Sequence, residues 1–322
     1  MIGLFKLTTT ELSAWVRQAR TVSHQGQVLD RIPKLALANA DWFAVYIYSV
    51  TGHIYSEGDT SLVFPLMSTI KPFSLLYLLE LLGAETVFQW VGVEPSDAPF
   101  NSLEQLKSDG GRPRNPMINS GAITLADQLP GKSARDRAEG LCQWLNQQAG
   151  CQLRLDEIML ASVRSVGSQV NQDITRYLAQ AGYVENMEMA LDTYEQICCL
   201  SGTVADLARL GLLLACGNGQ VELSHCQTVN NLMLSCGLYE SSHHYGLHIG
   251  LPMKSGVSGA LLAVVPARGA IACYSPALDS VGNPVAALAF VEAFSQGLAR
   301  VHENFLGNIN ISMLNQRKND AE

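Results

Sequence analysis

Apolar positions along the chain follow two rhythms, and the alternation between them outlines the architecture. After Thr8-Thr9-Thr10-Glu11, where a threonine can cap, Leu12, Trp15 and Val16 recur at helical spacing and predict an N-terminal helix. Asp41 to Val50 is rich in β-branched and aromatic residues and is followed by a Thr51-Gly52 turn. With His53 to Glu57 it predicts a two-stranded hairpin. From Ser68 to Leu82 nearly every face is apolar, which predicts a buried helix. The span from about 85 to 240 reads as helical with short glycine-containing loops, and Val204 to Cys216 is a strongly buried helix within it. Past Gly250 the strand rhythm returns in Ala260 to Pro266 and Gly269 to Tyr274, and a closing helix is predicted from about Pro284 to Val301.

Strands at both ends and helices between them predict an α+β architecture: an antiparallel sheet flanked by helices, with an inserted helical lobe. The α/β lobe takes about 1–84 and 241–322 and the helical lobe about 85–240, the whole 1–322 forming one domain. A cleft between lobes is the expected place for a site.

Composition narrows the classes. Hydrophobic residues make up 48% and charged ones 16%, the balance of a chain that buries a large core. A net charge of −8 argues against non-specific binding to nucleic acid, which needs a basic surface. No apolar run reaches membrane-spanning length. The apolar start Met1–Phe5 is cut short by Lys6 and the threonines, too little for a secretory segment. The eight cysteines show no C-x-x-C spacing and several sit in apolar runs, so they read as reduced thiols of a cytoplasmic protein. His243 and His244 are adjacent and His248 lacks a neighbouring carboxylate pattern, so no metal site is expected.

Chemistry enters with Ser68-Thr-Ile-Lys71, which at a helix start puts serine and lysine on one face, one turn apart. A desolvated lysine with a lowered pKa can take the serine proton and make a nucleophile of it. By itself the motif fits an N-cap serine and a surface lysine equally well. Lys254-Ser-Gly256 ahead of a strand shifts the balance, because serine acylases combine Ser-x-x-Lys with a later Lys-Thr-Gly-type triplet in this order.

Longer blocks carry a family resemblance. Asn115-Pro-Met-Ile-Asn-Ser-Gly-Ala-Ile123 resembles the corresponding block of the glutaminases. So do Gly92–Ser96, Phe100–Ser102, Cys236–Tyr239, Gly250–Val257 and Ser275–Asp279 followed by Gly282-Asn283, all in family order. The resemblance implies the serine β-lactamase and penicillin-binding-protein fold. It also implies hydrolysis of the side-chain carboxamide of L-glutamine, or of a related amide, through an acyl-enzyme, without cofactor or metal.

Position by position, it implies Ser68 as nucleophile, Lys71 as its base, Tyr194 as the proton carrier to departing ammonia, and Lys254 completing the catalytic set. Asn119, Asn171 and Tyr239 would contact the substrate, and the backbone N–H groups of Ser68 and Val257 would form the oxyanion hole. The family further implies a small-molecule amide as partner and self-association as a dimer or tetramer.

Two departures stand out. The family glutamate that holds the substrate α-ammonium lies seven residues before the asparagine matched by Asn171, and that count lands on Arg164. A family tyrosine is replaced in Asp30-Arg31-Ile32-Pro33. Met67, Ser258 and Ala260 are smaller departures. At about 4 Å and an effective dielectric near 20, a charge pair is worth roughly 4 kcal/mol. Arg31 and Arg164 facing the substrate would therefore favour an amide more anionic than glutamine.

Overall fold

The structure, a computed structural model, describes residues 7–297. The apolar start Met1–Phe5 and the end of the predicted closing helix lie outside the described residues; that helix runs over 285–297. The principal sheet has five antiparallel strands: β1 (Ala44–Ser49), β2 (Ile54–Gly58), β3 (Met253–Ser255), β4 (Ala260–Val265) and β5 (Gly269–Tyr274), in the order β2-β1-β5-β4-β3. Early and late segments of the chain thus build one sheet, joined by Ala44 opposite Tyr274, and Lys254 opposite Leu262 sets the register of its last strand.

Every residue of β4 and β5 is buried, so both faces of the sheet are covered. Leu262, Val264, Ala270 and Ala272 enter one apolar cluster, while Leu261, Ala263, Val265 and Ile271 enter another, as the two-residue alternation of a strand requires. On the first face lies the helix Val204–Cys216, where a side-chain carbon at Gly211 would come within 2.5 Å of Ala270 and 2.6 Å of Leu262. On the second face lie the helix Thr9–Arg20 and the 285–297 helix, locked by Trp15 packed edge-on against Phe290 and Phe294. A capping box of Thr8 and Glu11 starts the N-terminal helix, the chemistry its threonine run predicts.

The helices Asn119–Asp127 and Ala134–Ala149 pack on the nearly all-apolar helix Lys71–Trp90, and Met187–Cys198 and Gln169–Gln180 pack on these in turn, extending the first cluster. Two features depart from the sequence reading. The strands Phe64–Pro65, Arg154–Leu155 and Leu200–Gly202 form a small sheet, and strands of two or three residues carry no periodicity to detect. The helix expected from Ser68 to Leu82 is a tight 3₁₀ turn, Met67–Ile70, feeding an α-helix from Lys71, with a break at Gly83 where φ is 76°. Pro72 lacks a backbone donor and sits in the first α-turn, where that donor is not needed. Among the described residues no helix is long and apolar enough to cross a membrane.

Candidate active site

The 3₁₀ turn sets Ser68 in a cavity of about 250 Å³. Arg31, Met67, Phe100, Asn119, Asn171 and Tyr194 line it with Ser68, as do Val257, Glu195 and Cys198. That volume lies below the roughly 300–1,000 Å³ of pockets for drug-sized ligands and suits a molecule of amino-acid size. A larger cavity of about 550 Å³ adjoins it through Arg31, Phe100 and Val257 but does not reach Ser68, so the smaller one is the candidate site.

The turn is held from three sides. Met67 adopts φ +46°, a left-handed conformation that costs a non-glycine residue about 1–2 kcal/mol. Such strain persists where surrounding structure imposes it, and it concentrates at functional sites. Leu66 is anchored by its N–H to the carbonyl of Leu200 at 2.8 Å. From the sheet side, Gly256 comes so close that a side-chain carbon there would lie 2.7 Å from the Leu66 carbonyl oxygen and 3.4 Å from the Ser68 nitrogen.

Lys71, one helical turn on from Ser68, is fully buried. Its Nζ donates to Asn119 Oδ1 at 2.8 Å and to the Met117 carbonyl at 3.2 Å. Burial without a carboxylate partner lowers its pKa to about 8, so near neutral pH a sizeable fraction is the free amine. Asn119 is the hub. Its Oδ1 also accepts from Tyr194 Oη at 3.0 Å, and its Nδ2 donates to Asn171 Oδ1 at 2.9 Å.

The local sequence explains where Asn119 stands. Asn115 folds its loop by donating from Nδ2 to the Glu94 carbonyl at 2.7 Å and accepting the Met117 N–H at 2.9 Å. Gly121 lets the new helix lie against the Asn115 carbonyl, which a side-chain carbon would approach to 2.0 Å. Ser168 caps the helix that brings Asn171.

Tyr194 is buried, and burial holds its phenol well above the ordinary range, so it stays protonated. Cys198 lines the same cavity, but burial raises its pKa to about 11 and leaves it a thiol rather than a nucleophilic thiolate.

Strand alternation turns Met253 into the second apolar cluster and Lys254 to the opposite face, toward the site. Lys254 Nζ donates to the carbonyls of Gly237 and Ser255, each at 2.9 Å, and sits 4.2 Å from the centre of the Tyr239 ring. Burial, then repulsion from Lys71, holds its pKa well below that of an ordinary lysine. Tyr239 adopts φ +56°, stacks on Phe100 at 4.6 Å and bonds the Ser255 carbonyl at 3.3 Å. Burial raises its pKa to about 12 against hydrogen bonds to Ser68 and Ser255 that lower it.

The two arginines separate. Arg31 lines the cavity, exposed, and makes no ion pair among the described residues. Arg164 does not line it, which corrects the expectation drawn from counting. The helix Glu157–Val166 turns Val163 and Val166 to the cavity and aims Arg164 at Asp192, with Glu195 next nearest at 3.9 Å. Adjacent helical positions point about 100° apart, so a one-residue error in the count exchanges wall for exterior. Sequence reasoning also passed over Glu195 and Cys198. They follow Tyr194 by one and four residues, but nothing in that spacing says which face meets the cavity.

Comparison with known proteins agrees with this geometry. The glutaminase family model matches residues 26–302. A glutaminase of Synechocystis sp. is 45% identical over 296 residues, spanning 91% of this chain and 90% of its own. A probable glutaminase from Bacillus subtilis, solved in complex with 6-diazo-5-oxo-L-norleucine, superposes with a TM-score of 0.82 at 28% identity, covering 92% of this chain and 97% of its own. A covalent complex between a Bacillus subtilis glutaminase and 5-oxo-L-norleucine, formed by reaction with the same diazo compound, gives 0.81 at 28% identity, covering 90% and 98%.

Proposed function

Because the chain belongs to the glutaminase family and has the β-lactamase-like fold of its solved relatives, we propose that it hydrolyses the side-chain amide of L-glutamine through an acyl-enzyme on Ser68. The observation that carries this reading is a buried lysine with a pKa of about 8, one turn from a cavity serine and tied to Tyr194 through Asn119.

Neutral Lys71 takes the Oγ proton as Ser68 attacks the amide carbon. The oxyanion that forms is held by the backbone N–H groups of Ser68 and Val257, where one lost donor typically costs about 2.7–4 kcal/mol. Tyr194 gives its hydroxyl proton to the departing nitrogen, which leaves as ammonia, and regains a proton from the Lys71 ammonium. Water then attacks the ester with Lys71 again as base, releasing the carboxylate and restoring Ser68. Lys254 fixes Tyr239, whose hydroxyl faces Ser68. Asn119 and Asn171 hold polar groups of the substrate, and Arg31 takes its α-carboxylate. With Arg164 engaged by Asp192, a single arginine at the cavity suits the one carboxylate of glutamine and removes the case for a more anionic amide.

The unpaired, mostly buried thiols support a reducing, cytoplasmic setting. Division into an α/β lobe and a helical lobe, with the site between them, is part of the same proposal, as is self-association into a dimer or tetramer. Ammonia release from L-glutamine, with Ser68→Ala reducing kcat by on the order of 10⁴–10⁶, tests the reading. The diazo analogue of glutamine should label Ser68 and no other residue. Full activity in Ser68→Ala overturns the mechanism.

A further inference from the structure

L-glutamine presents an ammonium beside its carboxylate, and both lose water when the amide reaches Ser68. Among the described residues lining the cavity, Arg31 is the only base and Glu195 the only acid. Resting on the glutamine reading above, we infer that Glu195 is the anchor for the substrate α-ammonium and sets the preference for an amino acid over its des-amino analogue.

Glu195 directly follows Tyr194 on the helix Met187–Cys198, so the proton donor and the acid reach one cavity from neighbouring helical faces. Its side chain is 16% exposed and lines the cavity. The neighbouring cation is largely committed elsewhere. Arg164 bonds Asp192, which Gln196 braces at 3.2 Å, and only its Nε approaches Glu195, at 3.9 Å, beyond hydrogen-bond distance. No side-chain or backbone donor among the described residues bonds the Glu195 carboxylate. Burial raises its pKa while Arg164 lowers it, the condition of an acid short of counter-charge. A substrate ammonium supplies that charge and three N–H donors. Val163 and Val166, which line the same cavity, offer no charge of their own.

The test uses calorimetry on the Ser68→Ala protein, which separates binding from turnover. L-glutamine and glutaramate, identical except for the α-amine, are titrated with and without the isosteric change Glu195→Gln. We expect that change to weaken glutamine binding on the order of tenfold to a hundredfold and to leave glutaramate unaffected. In the enzyme with Ser68 intact the same change should raise KM for glutamine with little loss of kcat. Equal weakening of both ligands, or glutamine binding that does not weaken, overturns the inference. Absence of Ser68-dependent ammonia release in the unmodified protein would instead overturn the proposed function, while the ratio of the two affinities still judges Glu195.

Discussion

At the scale of single residues, the site works by withholding water and counter-charge. Lys71 and Lys254 are both completely buried, and among the described residues no carboxylate pairs with either. Each Nζ is bonded to neutral oxygens, so burial lowers both pKa values, and repulsion from Lys71 lowers that of Lys254 further. The sign of the pH dependence follows. Lys71 must be neutral to take the Ser68 proton, so kcat/KM should rise as pH climbs through about 8 and then level off. A rate profile on L-glutamine from pH 6 to 10 measures this; a flat profile across that inflection excludes Lys71 as the base.

Elements decide where those side chains stand. Ser68 depends on a 3₁₀ turn strained at Met67 and pressed by the strand that carries Lys254, with Gly256 as the point of contact. Gly256→Ala puts a methyl carbon 2.7 Å from the Leu66 carbonyl oxygen, so turn and strand must part. Parting them separates the backbone N–H groups of Ser68 and Val257, the proposed oxyanion donors. Stability should fall by about 1–3 kcal/mol, as in other overpacked sites, and kcat by about 10²–10³, with KM moving less. Urea melts beside steady-state kinetics check both; an unchanged kcat would mean that the approach of Gly256 does not matter to the turn.

Over the whole molecule, all eight cysteines are free, and Cys216 alone is exposed. The others are packing groups, as with Cys273 in the sheet, whose thiol burial raises far above its usual range. Thiol titration of the native protein should find one accessible group and, after denaturation without reductant, eight. Fewer than eight would mean disulfides and an oxidising compartment. The tertiary arrangement that buries these thiols is also what joins early and late segments of the chain into one sheet, with Ala44 opposite Tyr274.

Much of this was legible in the order of residues. Alternating runs predicted strands β1, β2, β4 and β5 and the threonine run its capped helix, and the motifs singled out Ser68, Lys71 and Lys254, which the fold brings to neighbouring positions, because periodicity, capping and motif spacing are local properties. What spacing leaves open is direction in space. Whether residue 163 or 164 faces a cavity turns on a 100° rotation of one helix, so Val163 stands where counting put Arg164. Three short strands emerge only when segments distant in sequence meet. Glu195 joins Arg31 at one cavity only because the helix Met187–Cys198 packs beside the Ser68 turn. The sequence by itself determined the elements and the chemical groups available, since both are written in neighbouring residues. Only the tertiary structure decided which charges share a cavity, because that depends on how distant elements pack.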